Sequence, residues 1–433
     1  MAQKQVLVTG AYGFIGSEVV RALKDAGYRV IGCGRDPVQA QQVLGALPFR
    51  VADLRDLVTA DTWTTYLDNV DLVVNCAGLL QDMAPGDLEA VHHLSIAALG
   101  QACASRGIGL IQISAAGADP GASTEFMRSK ARGDSALGAL DLPLWCLRPG
   151  LVIGQGAFGG TLLLRMLAAT PGVQVMAMGA SPIQSVGMED LCRAVVEAAD
   201  GALPPGRYDL VEDAPRSLSE VLAETRRWLG VPPARWQLEM PTPVVRVVAG
   251  AADVLGWFGW RSPLRSTAMQ AIADGVTGDP ETYRGAMGHA MNGLPQIHAK
   301  LRVGREQRLA ARMALMMPLC VAVLSVFWLL SGLIGLWHVN AAAALLEQAG
   351  WGSGLAHASV VFWALVDLAL GAAILWRRWA GRACLGMAVV SALYLGASAV
   401  VTPELWVDPL GPMIKVLPGL VLALVTYQML EDR

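Results

Sequence analysis

At 433 residues the chain exceeds one ordinary domain, and two or three are expected. Apolar residues make up 54% and charged ones 16%, against roughly 25% charged in a soluble domain, and charges become sparse after Arg312. A net charge of −3 without a basic stripe argues against a nucleic-acid partner, and seven cysteines with no CxxC pair argue against a disulfide framework or a metal site.

The chain enters a strand almost at once, Val6-Leu7-Val8, which leaves no room for a signal peptide and places the front half in the cytoplasm. Three glycines come next at intervals of three: Gly10, Gly13 and Gly16. After them runs an amphipathic helix with Val19, Val20, Leu23 and Ala26 on one face and Glu18, Arg21, Lys24 and Asp25 on the other. Strand, glycine turn and helix in this order make a dinucleotide cradle. The first glycine permits the turn, the second lets a pyrophosphate reach the backbone, and the third lets helix and strand pack closely.

Tyr28 to Arg35 reads as a second strand. A basic residue at its end accommodates a ribose 2′-phosphate where an acidic one would bind the 2′-hydroxyl, so Arg35 favours NADP(H) over NAD(H), with a solvated surface arginine as the other reading. Phe49 to Asp53 is a third strand, and Asp53 is placed either to reach an adenine or to cap the next helix. Val70 to Gly78 is a fourth, apolar as a buried parallel strand should be. A helix over Val91 to Arg106 and a fifth strand, Gly109 to Ser114, complete a βαβαβ rhythm and predict a doubly wound α/β sheet.

Thr9-Gly-x-x-Gly-Phe-Ile-Gly16, Asp53-Leu54, Asn75-Cys-Ala-Gly78, Leu147-Arg-Pro-Gly150 and Ser185-Val-Gly-Met-Glu-Asp-Leu191 together resemble the extended and atypical short-chain dehydrogenase/reductases. The resemblance is strongest to the branch holding the nucleotide-binding accessory subunit of respiratory complex I, and it covers about residues 1–230. It implies that Gly10, Tyr12, Gly13, Phe14, Ile15, Gly16, Arg35, Asp53, Ala77, Gly78, Ser114, Lys130 and Pro149 line the cofactor. The family's acid is a tyrosine four residues before a lysine; here Lys130 is present and Phe126 holds the tyrosine's place. A phenyl ring has no proton to give. Ser114 stands where the family touches cofactor, and Ala116 where a catalytic hydroxyl is expected. Glu125 is a substitute acid if burial raises its pKa, against a solvated helix start capped by Ser123 or Thr124. His92 and His93 fall where relatives often carry asparagine; either one of them faces the active cleft or, the commoner outcome, both lie on the helix surface.

Ser217 with Glu220 forms a capping box, and prolines 232, 233, 241 and 243 then break the chain into a connector. Val244 to Trp260 is apolar apart from Arg246 and Asp253, marginal for a span and suited to the bilayer interface or to docking on the soluble domain. Ser262 to Asn292 is polar and without an assigned role.

Four apolar blocks complete the chain, at about 313–337, 355–376, 383–402 and 413–429, and predict an all-α four-helix transmembrane bundle. Arg302, Arg305, Arg308 and Arg312 precede the first, and Arg377, Arg378 and Arg382 separate the second from the third, whereas the other two connections hold no arginine. By the positive-inside rule both termini face the cytoplasm in a multi-pass inner-membrane protein. Pro403-Glu-Leu-Trp-Val-Asp-Pro-Leu-Gly-Pro412, Lys415 and Asp367-Leu-Ala-Leu-Gly371 resemble the DoxX-like membrane family, a resemblance that implies a quinone neighbourhood. Asp367 within a span is costly to ionise and marks either a path through the bundle or a hydrogen bond inside it.

The expected organisation is therefore an NAD(P)-binding Rossmann domain over 1–235, a connector over 236–305 and a membrane domain over 306–433. The expected function is a membrane-anchored NADPH-binding reductase of a lipid-soluble substrate such as a quinone. The alternative is a non-catalytic NADPH-binding scaffold or sensor that docks a membrane protein partner.

Overall fold

The computed structural model describes residues 3–79, 86–260, 262, 264–409 and 411–431. Two compact units emerge: Met1–Arg246 with Pro263–Gln307, and Val247–Ser262 with Arg308–Arg433.

The first unit is built on a seven-stranded parallel sheet. Its strands are β1 (Gln5–Thr9), β2 (Arg29–Gly34), β3 (Phe49–Val51), β4 (Leu72–Asn75), β5 (Gly109–Ile113), β6 (Leu144–Pro149) and β7 (Gly206–Leu210), in the spatial order β3-β2-β1-β4-β5-β6-β7. Val8 pairs with Gly32 on one side and Val74 on the other, so β1 is central. The chain reverses direction of travel across the sheet between β1 and β4, and such a switch point opens a crevice at the strands' carboxyl ends. Alternation along β1 sorts its side chains: Val6 and Val8 join one apolar core and Leu7 the other, as a sheet covered on both faces requires. Each predicted strand is found: the first gains a residue at each end, and the other four are trimmed by one to five residues in total as the chain peels away at their ends.

Helix α1 (Gly16–Asp25) buries Val19, Val20 and Leu23 against the first core. The predicted Val91–Arg106 helix is two pieces, a π-turn over Ala90–Leu94 and α2 (Ser95–Arg106). Helix α3 (Glu125–Gly138) starts at Thr124, whose side chain accepts from the Met127 N–H at 3.4 Å. The capping box of Ser217 and Glu220 is formed. The unassigned stretch after residue 262 carries helices Ser266–Asp274 and Glu281–Met287, and it places Tyr283 in the core at 1% exposure.

In the second unit, α4 (Thr242–Trp257, counted from Val247) accompanies α5 (Arg305–Trp337), α6 (Ser353–Ala373), α7 (Arg377–Val401) and α8 (Val416–Glu431). Among the described residues, α5, α6 and α7 are long and apolar enough to cross a membrane. The fourth predicted span is shorter than the sequence indicates. At 16 residues α8 reaches about 24 Å against a hydrocarbon core of about 30 Å. A further helix, Val339–Gln348, occupies the expected loop after α5. Close packing of α5 on α6 rests on small residues: a Cβ on Gly371 would stand 2.8 Å from the Leu329 nitrogen. Asp367 accepts from Ser331 Oγ at 2.7 Å and from the Tyr394 hydroxyl at 3.1 Å, so it is bonded inside the bundle and not to Lys415. Leu410 of the Pro403–Pro412 motif lies outside the described residues.

Candidate dinucleotide site

Three glycines shape the carboxyl end of β1 for three different reasons. Gly10 sits at φ +65°, and a Cβ there would lie 2.7 Å from the Ala77 Cα. A Cβ on Gly16 would run into the Gly10 carbonyl oxygen, so only glycine lets α1 begin this close to the turn. Gly13 faces open space apart from the Gly10 oxygen, 3.1 Å from an added Cβ. That open space is a cavity of about 210 Å³ lined by Tyr12, Gly13, Phe14, Ser17 and Glu18, and from far along the chain by Gly154, Gln155, Gly156 and Met188. It lies at the N-terminus of α1, where unpaired N–H groups favour an anion. The residues present thus fit a dinucleotide: a cradle without side chains, an open cavity and a helix start.

The cavity's far wall is held from behind. Arg165, 8% exposed, donates to the Gly154 carbonyl at 2.6 Å and to the Gln155 carbonyl at 3.0 Å. Gln155 exchanges two hydrogen bonds with the Arg302 backbone, at 2.8 and 3.1 Å. Phe158 stacks on Phe14 at 6.4 Å. Ile15 packs against the first core, below the cavity.

At the end of β2, the Tyr12 ring covers Gly34, whose added Cβ would meet it at 2.6 Å, and the Tyr12 hydroxyl accepts from the Asp36 N–H at 3.2 Å. Arg35 projects into solvent beside this ring. Asp53 is engaged by Arg55. Its carboxylate takes the Arg55 guanidinium through both oxygens, at 2.6 to 3.1 Å, and accepts the Arg55 N–H at 3.0 Å. The Arg55 hydrogen bond holds it below the usual carboxylate range. The Arg55 N–H closes a turn on Asp53, and the next helix starts at Ala60 with Thr59 before it.

Beyond the switch point a buried chain of hydrogen bonds crosses three strands. Thr9 donates to Asn75, and Asn75 donates to Gln112 at 2.7 Å while accepting the Ala77 N–H at 3.2 Å. This fixes the Ala77-Gly78 backbone where it passes Gly10. Pro149 ends β6 with its carbonyl accepting from the N–H of the fully buried Ala116.

Lys130, 7% exposed, donates from Nζ to the Ile113 carbonyl at 3.2 Å and stands 5.6 Å from the centre of the Phe126 ring. Burial lowers its pKa, opposed by the nearby Asp134 carboxylate. Phe126 therefore does occupy the space beside the lysine where a phenol would act. Ser114 turns away to donate to Asp134 at 2.6 Å, and burial raises the Asp134 pKa.

The helix-surface reading of His92 fails here. His92 is no surface residue: at 3% exposure it sits edge-on to Phe126 at 5.5 Å. Its Nε2 accepts the Leu79 N–H at 3.0 Å and its Nδ1 pairs with Ser129 Oγ at 3.0 Å, while burial holds it neutral, well below the ordinary histidine pKa. For Glu125 the helix-start reading holds, with Thr124 as the cap. Arg132 and Arg128 bind it and hold its pKa down. His93 pairs with Glu89 at 2.6 Å. Spacing in the sequence marks neither Asp134, one turn after Lys130, nor the Gly154-Gln155-Gly156 wall, whose two glycines are its only signal.

Comparison with known proteins agrees with this geometry. Residues 6–200 match the NAD dependent epimerase/dehydratase family and residues 325–424 the DoxX-like family. A ceramide reductase of Caulobacter vibrioides is 28% identical over 202 residues, which is 45% of this chain and 61% of that protein, so the chain spans under two thirds of this relative. The Bordetella bronchiseptica enzyme WbmG, solved with NAD, superposes with a TM-score of 0.51 at 15% identity over 73% of this chain and 94% of its own. The NADPH-dependent quinone oxidoreductase QOR2 of Escherichia coli, solved with NADPH, also gives 0.51, at 19% identity over 68% of this chain and 98% of its own. The chain thus joins an NAD-dependent epimerase/dehydratase-type Rossmann domain, residues 6–200, to a DoxX-like domain, residues 325–424.

Proposed function

We propose that the protein is a membrane-anchored NADPH-dependent reductase of a lipid-soluble substrate. The observation that carries this reading is the glycine cradle and buried Lys130 at one end of the sheet, on a chain that also holds three membrane-length apolar helices. The relative named a ceramide reductase favours a ceramide-type lipid; the DoxX-like resemblance favours a quinone. The arginine-rich ends of the spans favour the cytoplasmic side for the Rossmann domain.

A bound nicotinamide supplies hydride. In this chain the glycine turn admits the pyrophosphate and the start of α1 stabilises it. Arg35, exposed at the end of β2, pairs with a 2′-phosphate. Lys130 holds the ribose hydroxyls. No phenol is present beside Lys130 to pass a proton, so a substrate whose oxygens take protons from water, as a quinone's do, loses least by the change.

A second reading has its own observation. Phe126 fills the acid's place, and the hydroxyl of Ser114 is committed to Asp134. These features suit a protein that binds NADPH without turnover and docks a membrane partner. Purified protein in detergent separates the two: NADPH retention is measured first, then NADPH oxidation with a soluble quinone and with a ceramide-type lipid. Oxidation with either acceptor supports the reductase; retention with no oxidation supports the scaffold; no retention of either dinucleotide refutes both. Arg35→Ala should weaken NADPH by about tenfold or more, the loss of one charge-assisted hydrogen bond, and leave NADH unchanged. Equal weakening of both would remove Arg35 from the 2′-phosphate.

A further inference from the structure

From Val247 onward α4 belongs to the second unit, and its side chains sort into three faces. At 3.6 residues per turn, Ala249 and Ala252 share the inward face and are 4% and 7% exposed. Arg246 and Asp253 share a narrow polar edge. On the opposite side Val247 (73%) and Val254 form an exposed apolar stripe, continued by Phe258 just past the helix end, with Val248 on one flank and Trp257 on the other at 82%. A helix on a water-facing surface puts its polar residues opposite its buried face. This one puts valines there.

The depth of this helix is set by its carboxyl end. The Phe258 carbonyl accepts from the Arg377 N–H at 3.0 Å, and Trp260 Nε1 donates to the Leu375 carbonyl at 2.7 Å. Phe258 meets the Trp376 ring at 5.9 Å, and the Arg377 guanidinium stands 5.8 Å from the Trp260 ring. That turn joins α6 to α7, whose first turns carry Arg377, Arg378, Trp379 and Arg382, the residue types that settle at a membrane–water boundary. The chain arrives from the first unit at Arg246 and returns to it after Ser262.

We infer that α4 lies in the headgroup boundary of the bilayer, at the level of the arginine-bearing turn, with its valine stripe in contact with lipid. The occupant is lipid and not a folded partner. The stripe matches in kind the outward faces of the spans in the same unit, such as Leu330 and Phe362, and the adjoining arginines suit anionic headgroups. The inference rests on the reading of this unit as membrane-embedded.

The full-length protein, in bilayer discs of phosphatidylcholine and phosphatidylglycerol, tests both. A nitroxide is placed in turn at Val247→Cys, Val254→Cys, Phe362→Cys as a lipid reference on α6, and Arg227→Cys as a water reference in the first unit. The unsubstituted protein measures labelling of the native cysteines, and NADPH retention checks that each variant folds. The expected result is that labels at 247 and 254 collide with oxygen several-fold more often than with an aqueous nickel reagent, as at 362 and the reverse of 227. If 362 sees lipid while 247 and 254 behave like 227, the helix lies in water and the inference fails alone. If both reagents are excluded at 247 and 254, a partner or second copy covers the stripe and lipid is overturned. If 362 itself sees water, the membrane reading falls and the inference with it.

Discussion

Gly16 is the position where one added methyl group does most harm. Its Cβ would meet the Gly10 carbonyl, a backbone atom that cannot swing aside. Gly16→Ala should therefore push α1 away from the turn at a cost of about 1–3 kcal/mol and abolish dinucleotide retention. A variant that keeps both its melting temperature and its NADPH would show that helix and turn pack less tightly than described. Phe126 offers the opposite experiment, a gain. Phe126→Tyr adds one hydroxyl beside Lys130, whose burial already favours its neutral form. With a simple carbonyl acceptor NADPH oxidation should rise about a hundredfold, the low end of what a positioned general acid contributes, and with a quinone it should barely change. Equal gains for both acceptors would mean that the hydroxyl acts through binding and not through proton transfer.

Elements local in sequence were legible, and contacts between distant ones were not. The strand–glycine–helix start, the strand ending Asn75-Cys-Ala-Gly78 and the Phe126/Lys130 pair each occupy a few consecutive residues, so spacing alone places them. His92 eluded a helical wheel because the π-turn at Ala90–Leu94 shifts the phase of the face by a residue. Asp367 finds Ser331 and Tyr394 on two other helices, a pairing no single periodicity encodes. The wall of the dinucleotide cavity is likewise built at long range. Behind it Arg165 stands 4.8 Å from the Trp228 ring, and His298, from helix Leu294–Lys300, stacks on the same ring at 5.1 Å. Burial, with the Arg165 charge second, pushes His298 down to about 4. An unfolded histidine titrates near 6.5, so between these values the unfolded chain holds a proton that the folded one refuses. Its contribution to stability is thus complete above about pH 6.5 and is lost as pH falls to about 4, at most about 3 kcal/mol. Melting temperature measured from pH 7 to 4 should fall less steeply for His298→Phe, which keeps the stack, than for the parent. Parallel curves would place the acid sensitivity elsewhere, with buried His92 the next residue to replace.

For the whole molecule the open question of connectivity is whether the short α8 completes a fourth crossing. Its length argues against: about 24 Å falls short of the hydrocarbon core. Its packing argues for. Ala423 and Thr426 are fully buried, and Arg377 at the start of α7 donates to the Leu430 carbonyl at 2.9 Å near the end of α8. Helix α7 begins on the arginine-bearing side, so this bond brings the end of α8 back to that same side. Counting along the chain gives the same answer: α5 leaves the side of Arg302 and Arg305, α6 returns, α7 leaves, and α8 must return for Leu430 to meet Arg377. The missing length of about 6 Å is modest and is met by local thinning of the bilayer or by irregular chain before Val416, at fractions of a kcal/mol per Å. A fluorescent-protein fusion after Arg433 should accordingly glow in bacterial cells, because it folds in the cytoplasm, and an alkaline-phosphatase fusion at the same point should be inactive. Fusions placed after Trp351, between α5 and α6, should give the reverse pattern. A C-terminal phosphatase that is active would leave α8 uncrossed, and the Arg377–Leu430 bond could not then exist in the membrane.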